Sequence, residues 1–399
     1  MVLPEKTAII IIGGGVMGCS IAYRLAKAGQ NIVLLESRNI ASGASGRNGG
    51  MVMQLDGRDF DKDAILNRLT YTRKNNRILE NLADELGADL EYTKCGSLDL
   101  AWTEKELEYL QKLVKFQKKL GDTEIQLLDR KETKEKCPLI TSCALGSRFR
   151  SSDGTINPFK LTYGFASRAK KYGAKIFTGV EVKKIVIKDG EVKGVETALG
   201  HIKSNWVINA TNAWAPNLTG EIDILPLRQV AVVTERVPAL AVFPFEAMLD
   251  NQVIFGTTQT ATGGLIVGGL GTQARKKIDH YCEDVSFAEI QGSASIFTRL
   301  FHDLGEVNII RSWAGTMAFT ADGLPCIGPS PGIKGLFIAA GFSNGMAFSA
   351  IVGKLVAEYI IDGRNSLPIA PFDPKRFWKR KIKWPGIYNY TILANFLGR

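Results

Sequence analysis

Three histidines and six cysteines in 399 residues leave little from which to build a metal centre. Cys19, Cys95, Cys137, Cys143, Cys282 and Cys326 are scattered with no CxxC pair, which argues against structural zinc and a self-contained iron–sulfur cluster. They read as reduced thiols, most of them buried. Acid is missing from the end of the chain: beyond Asp373 come Lys375, Arg376, Lys379, Arg380, Lys381, Lys383 and Arg399 without one acidic side chain. That stretch holds most of the formal net charge of +10, so the body is only mildly basic and gives no case for a nucleic-acid partner. No run of about eighteen apolar residues is present to cross a membrane, and the first strand begins too early to leave room for a signal peptide. The expected location is cytoplasmic, with the tail as a means of contact with the inner face of the membrane. No internal repeat or low-complexity tract occurs. The length is enough for two domains.

What is present begins at residues 7–12, a hydrophobic run that breaks into Gly13-Gly14-Gly15-Val16-Met17-Gly18 and then into a helical pattern ending near Gly29. Gly13, Gly15 and Gly18 fit GxGxxG: one glycine for the turn, one for close approach of a pyrophosphate, one for packing of helix on strand. The helix would present its positive dipole end to the phosphates. A second strand, residues 32–35, ends in Glu36, the offset at which a carboxylate accepts from an adenosine ribose and repels a 2′-phosphate. Strand, glycines, helix, strand and acid together predict a dinucleotide site, with FAD and NAD both open on these residues alone. A second match, GxGxxA at Gly269-Leu270-Gly271-Thr272-Gln273-Ala274, lacks the following strand and acid and is set aside.

Further along, residues 66–86 and 104–120 carry apolar residues at helical spacing. Residues 175–197 alternate and contain a hairpin signal at Asp189-Gly190, and the strand at 206–208 runs into Asn209-Ala210-Thr211-Asn212-Ala213-Trp214 as a return to the first domain. Between about 225 and 316, β-rich runs predict an antiparallel sheet of a second domain. Residues 336–340 read as a buried strand, Gly341 to Gly345 as a turn and 346–359 as a helix, repeating the logic of the N-terminus. His201, His280 and His302 sit in polar stretches and are expected to face solvent.

On the N-terminal "IIIIGGGVMG", Glu36, "SGASGRNGG", "VINATNAWA" and the block from "RSWAGTMAFTADGLPCIGPSP" to "GKLVAEYI", residues 7–365 resemble the flavin oxidoreductases of the D-amino-acid oxidase, glycine oxidase and sarcosine oxidase superfamily. "SGASGRNGG" and "WAGTMAFTADGLPCIGPSP" look most like the FAD-bearing subunits of heteromeric dehydrogenases of proline, hydroxyproline and opines, and of hydrogen cyanide synthase. The resemblance implies an α/β fold. It contains a discontinuous Rossmann-like FAD-binding domain (1–85, 146–218 and 319–365), a substrate domain of antiparallel sheet plus helix (86–145 and 219–318) and a basic aromatic tail (366–399). It implies one noncovalent FAD, with Gly13, Gly15, Val16 and Met17 at the pyrophosphate, Glu36 on the ribose, and Ser37 and Arg38 near adenine. Ala44, Ser45, Arg47, Asn48, Gly49, Gly50 and Met51 would pass the diphosphate and ring, Val182 would bond adenine through its backbone, and Ala210, Thr211 and Trp214 would close the nucleotide side. Gly315, Gly341, Asn344, Gly345, Met346 and Ala347 complete the cofactor set, the last four aiming amides at the edge of the ring that becomes negative on reduction.

Two departures from the family pattern are visible. The cysteine that holds flavin covalently in monomeric sarcosine oxidases falls at Gly315, and the arginines that grip a substrate carboxylate in relatives fall at Met317 and Ser343. Arg47, Arg228, Gln259 or Arg311 could substitute. The expected chemistry is oxidation of the C–N bond of an amino acid, imino acid or secondary amine by hydride transfer to flavin N5, with electrons passing to a partner redox subunit. The alternatives are an oxidase that uses oxygen and releases peroxide, and a flavin-binding subunit without catalysis. No catalytic acid or base is assigned; Thr258, Gln259, Met317, Phe319 and Ser343 are the expected pocket-lining residues. The tail interleaves its cations with Phe377, Trp378, Trp384, Tyr388, Tyr390 and Phe396, a composition suited to a partner, to an anionic membrane surface, or to covering the protein's own body.

Overall fold

The computed structural model describes residues 2–55, 61–140, 143–220, 222–239, 244–249, 252–268 and 276–378. Two sheets organise it. The first has six strands in the order Cys326–Pro329, Leu336–Ala340, Trp206–Asn209, Ile9–Ile12, Ile32–Glu36 and Lys175–Thr178. All neighbours are parallel except the first two. Its central strands are apolar without interruption because both faces are covered. Ile9, Ile11, Ile32 and Leu34 point into a core shared with helices Val16–Lys27, Pro158–Lys171 and Ser349–Asp362. Ile10, Ile12, Val33 and Leu35 pack the other way, on Val182, Ile185, Val195 and Ile202 of a three-stranded antiparallel sheet. That small sheet contains the expected hairpin, strands Val182–Lys188 and Glu191–Thr197 joined at Asp189 and Gly190, which have φ of +54° and +74°. Two positive φ values in a two-residue loop are the requirement of a type I′ turn.

The second sheet has nine strands, built around the long pair Ile224–Arg236 and Ile309–Thr320. It is antiparallel apart from the pairing of Phe245–Leu249 with Ser97–Ala101, and helix Phe287–Leu300 packs on it through Phe297, Leu300 and Phe301. The strand Gly146–Arg150 pairs with Ser97–Ala101 and Ile125–Asp129, so it belongs to this sheet although the expected division put residues 146–218 in the first domain. Its alternation is disguised by Arg148 and Arg150, which are buried against Asp99, Asp122 and Asp153.

Three further expectations are corrected. Residues 66–86 are two helices, Lys62–Leu79 and Leu82–Leu86. Asp61 caps the first through the Ala64 amide, and Asn81 leaves helical geometry between them. The last helix begins at Ser349, preceded by a 3₁₀ turn at Met346–Phe348. Three of the six thiols are buried, those of Cys19, Cys137 and Cys326; Cys143 is exposed. The three histidines are exposed as expected. Among the described residues no helix is long and apolar enough to cross a membrane. The motif at 269–274 and the tail beyond Trp378 lie outside the described residues. The first part of the tail lies on the body: Phe377 is buried among Ala318, Cys326 and Ile338, and Arg376 reaches both oxygens of Asp322 at 2.6 and 3.1 Å.

Candidate active site

At the carboxyl ends of the parallel strands, where open α/β sheets bind ligands, Ile12, Glu36, Ala210 and Phe342 line one cavity of about 850 Å³. The nine-stranded sheet supplies its opposite wall with Gln229, Ala231, Ile266, Gly315, Met317 and Phe319. The volume is within the range of small-molecule and cofactor sites. One void therefore joins the glycine turn to the second sheet.

The glycine turn is shaped by close approach. Gly13 has φ +109°, and a Cβ there would stand 2.8 Å from the Ala210 carbonyl oxygen; one at Gly18 would stand 1.9 Å from the Gly13 carbonyl oxygen. Side chains at these positions would push strand and helix apart. The N-cap of helix Val16–Lys27 is Gly15, which has no side chain to cap it, so the amide end of the helix opens on the cavity beside Gly15, Val16 and Met17. Ser45 Oγ accepts from the Val16 amide at 2.9 Å. Glu36 is fixed by the Gly14 amide at 2.7 Å to one oxygen and the Arg38 amide at 2.8 Å to the other. A carboxylate held this way needs no side-chain cation to keep its orientation.

At the far end, Asn344 donates to the Met53 carbonyl oxygen at 3.2 Å, and Asn212 accepts from the Phe342 amide at 2.8 Å. Asn212, at φ +51°, thus ties the ends of two strands together where they meet the cavity. Arg47 reaches the wall from residues 44–49; its carbonyl accepts from Trp313 Nε1 at 3.0 Å, and a Cβ on Gly315 would lie 2.7 Å from its Cβ. Directly opposite Gly315 in the strand pairing is Gln229, whose side-chain oxygen is buried and has no hydrogen-bond partner. Such an atom calls for a donor. A helix N-terminus whose N-cap Gly15 offers no side chain, a glycine cradle and an orphaned acceptor in one continuous void fit a dinucleotide cofactor.

Of the residues singled out from sequence, the cavity wall includes Gly13, Gly15, Val16, Met17, Glu36, Ser37, Arg38, Ala44, Ser45, Arg47, Asn48, Gly49 and Met51. It also includes Val182, Ala210, Thr211, Trp214, Gly315, Met317, Phe319, Ser343, Asn344, Gly345 and Met346. Five do not line it. Gly50 is bound to Asn48 Oδ1 and Ile156, Gly341 follows the strand Leu336–Ala340, and Ala347 is buried within the 3₁₀ turn. Thr258 donates to the Gly49 carbonyl oxygen at 2.9 Å, and Gln259 Nε2 staples the carbonyls of Pro238 and Gly263 at 3.0 and 3.1 Å. Among the substitutes for a carboxylate-binding arginine, Arg228 is buried in a bidentate pair with Glu289 at 2.6 and 3.2 Å, and Arg311 is exposed beside Trp313. Arg47 alone of these four reaches the cavity.

Sequence reasoning missed Asn212, Gln229 and the run Asp279-His280-Tyr281, all of which line the cavity. Asn212 lies inside a quoted motif, but its role depends on Phe342, which is distant in sequence. Gln229 had only its place on a β-rich run as a signal, and residues 279–281 had none.

Residues 8–359 match the family DAO, FAD dependent oxidoreductase. The chain is 25% identical over 396 residues to mitochondrial dimethylglycine dehydrogenase of Mus musculus, covering 94% of this chain but 44% of that protein. It thus spans less than half the length of that relative. It is 27% identical over 392 residues to the glycine oxidase of Geobacillus kaustophilus, covering 94% of this chain and 98% of the other. Among solved structures, L-proline dehydrogenase from P. horikoshii superposes with a TM-score of 0.83 at 32% identity, covering 94% of this chain and 98% of that one.

Proposed function

The chain belongs to the DAO family of FAD-dependent oxidoreductases, and from that premise we propose that it oxidises the C–N bond of an amino acid, imino acid or secondary amine. The observation that carries this reading is the single cavity that runs from Glu36 and the glycine turn to Gly315, Met317 and Ser343. It offers room for a substrate beside the cofactor and is walled by both sheets.

Bound FAD would supply the two-electron acceptor for the hydrogen leaving the carbon next to nitrogen. The chain's own part is binding, orientation and exclusion of water. Gly15, Val16 and Met17, with Ser45, would hold the pyrophosphate at the helix N-terminus, and Glu36 would accept from the ribose. Asn344, Gly345 and Met346 would hold the far end, and the uncharged Met317 and Phe319 line the same cavity. We take Arg47 as the candidate cation for a substrate carboxylate, since it alone of the four substitutes lines the cavity, and leave the reaction without a side-chain base, since a neutral amine loses hydride without one. Electrons then pass to a partner redox subunit, a reading favoured by the motifs "SGASGRNGG" and "WAGTMAFTADGLPCIGPSP" and by 32% identity to a dehydrogenase. The similarity to a glycine oxidase supports the second reading, direct use of oxygen.

Anaerobic mixing with candidate substrates, then admission of air, tests both. Bleaching that persists until an artificial acceptor is added supports the dehydrogenase. Rapid recolouring with peroxide release supports the oxidase, and no bleaching by any amine would leave a flavin-binding subunit without catalysis.

A further inference from the structure

We propose that residues 278–284 form a strap closing the cofactor cavity, and that Glu283 is the positioning residue that latches it, so that retention of FAD depends on a carboxylate outside every cofactor motif.

The strap leaves strand Lys276–Lys277 of the second sheet and ends before helix Phe287–Leu300. On the way Asp279, His280 and Tyr281 line the cavity. Its attachment is to the loop that follows strand Ile32–Glu36, and three groups converge on one oxygen. Arg47 Nη2 lies 2.6 Å from Glu283 Oε1, Arg38 Nη1 lies 3.1 Å away and the Tyr281 hydroxyl 2.5 Å. The same hydroxyl is 3.1 Å from the Ser42 carbonyl oxygen, and the Arg38 guanidinium stacks 3.5 Å from the centroid of the Tyr281 ring.

Two residues of the strap thus engage residues 38, 42 and 47, and two of those contacts are charge-assisted, the stronger kind of hydrogen bond. Arg38 and Arg47 also line the cavity, so the groups that Glu283 holds are themselves part of the cofactor wall. Without the carboxylate the strap would lose both charge-assisted contacts to that loop and keep only those of Tyr281 to Arg38 and Ser42, which favours an open strap. Glu283 and Arg38 are 44% and 36% exposed in their side chains, so dissolved salt reaches the latch and screens it. A strap that only filled space between the sheets would not respond to salt in this way.

The inference rests on FAD as cofactor but not on the identity of the substrate. Its test is the rate at which FAD leaves the holoprotein after dilution, read as the rise in free-flavin fluorescence, for the wild type, Glu283→Gln and Tyr281→Phe. Glu283→Gln should release FAD about tenfold faster, equivalent to about 1.4 kcal/mol of lost retention, with its unfolding midpoint unchanged. Tyr281→Phe, which keeps the ring under Arg38, should show a smaller acceleration. Between about 0.1 and 1 M salt, where the screening length falls from about 10 to about 3 Å, wild-type release should speed up by a larger factor than that of Glu283→Gln. Equal rates for the wild type and Glu283→Gln at both salt concentrations would overturn the latch. A protein that holds FAD but is reduced by no amine would refute the proposed reaction and leave this comparison intact; one that takes up no FAD would overturn both.

Discussion

Replacing Arg228 should unfold the protein more readily without weakening its grip on a substrate. Both members of the Arg228–Glu289 pair are buried, with side chains 6% and 5% exposed, and the guanidinium meets the carboxylate through two bonds. Glu289 also closes a capping box, accepting from the Ser286 amide at 2.8 Å and from its hydroxyl at 2.9 Å. Removing one partner of a buried pair leaves an uncompensated charge, at a cost of about 3–5 kcal/mol; loss of a cap adds about 1 kcal/mol. Arg228→Met leaves the carboxylate at a helix N-terminus with its Ser286 bonds, so its cost should fall at the low end, about 3 kcal/mol. Glu289→Ala strands the arginine and loses the cap, for about 4–6 kcal/mol. The double variant Arg228→Met/Glu289→Ala should be more stable than the sum of the single changes predicts. Urea denaturation of the FAD-loaded proteins, followed by tryptophan fluorescence, reads these differences as shifts in midpoint. Unchanged midpoints, together with a raised KM in Arg228→Met, would refute the reasoning and return Arg228 to the list of carboxylate-binding candidates.

Three other outcomes are expected. Glu36→Ala should weaken FAD affinity about 10- to 100-fold, the worth of hydrogen bonds to a charged group at about 1.5–3 kcal/mol, as measured by fluorescence titration of the apoprotein. Burial raises the Glu289 carboxyl, but Arg228 and Ser286 outweigh it and hold its pKa below the usual carboxylate value. The stability from that pair is therefore fully present above the unfolded carboxylate pKa and is lost as pH falls through the depressed folded one, and denaturation midpoints should fall less steeply with acid in Glu289→Gln. Arg376→Met, which breaks the bonds to Asp322 and the Leu324 carbonyl oxygen, should make the chain after Asp373 more sensitive to limited proteolysis while FAD content stays unchanged.

The parts of the fold that were legible in sequence are those with one period and one environment. Strands Ile9–Ile12, Ile32–Glu36 and Leu336–Ala340 are buried on both faces, so each reads as an unbroken apolar run, and Asp189-Gly190 specifies its turn locally. The break at Asn81 was hidden because the helical spacing of apolar residues continues across it, through Leu79, Leu82 and Leu86. Strand Gly146–Arg150 could not be placed in the nine-stranded sheet from sequence because its arginines are buried by partners at positions 99, 122 and 153, and a buried ion pair looks like surface when only one partner is in view. The glycine turn and Glu36 could be read because one local motif contains them. Gln229, Asn212 and Tyr281 could not, since each reaches the cavity only through a pairing or a loop crossing set by the tertiary fold.

The central claim is that this cavity brings an amine substrate to bound FAD. Anaerobic titration of the purified protein with proline, hydroxyproline, sarcosine, dimethylglycine, glycine, opines and D-amino acids, following the oxidised-flavin absorption band, tests it most directly. The account predicts a yellow protein with releasable FAD that is bleached stoichiometrically by at least one of these compounds. A colourless protein that binds NAD, or a yellow one that none of them bleaches while dithionite does, would contradict it.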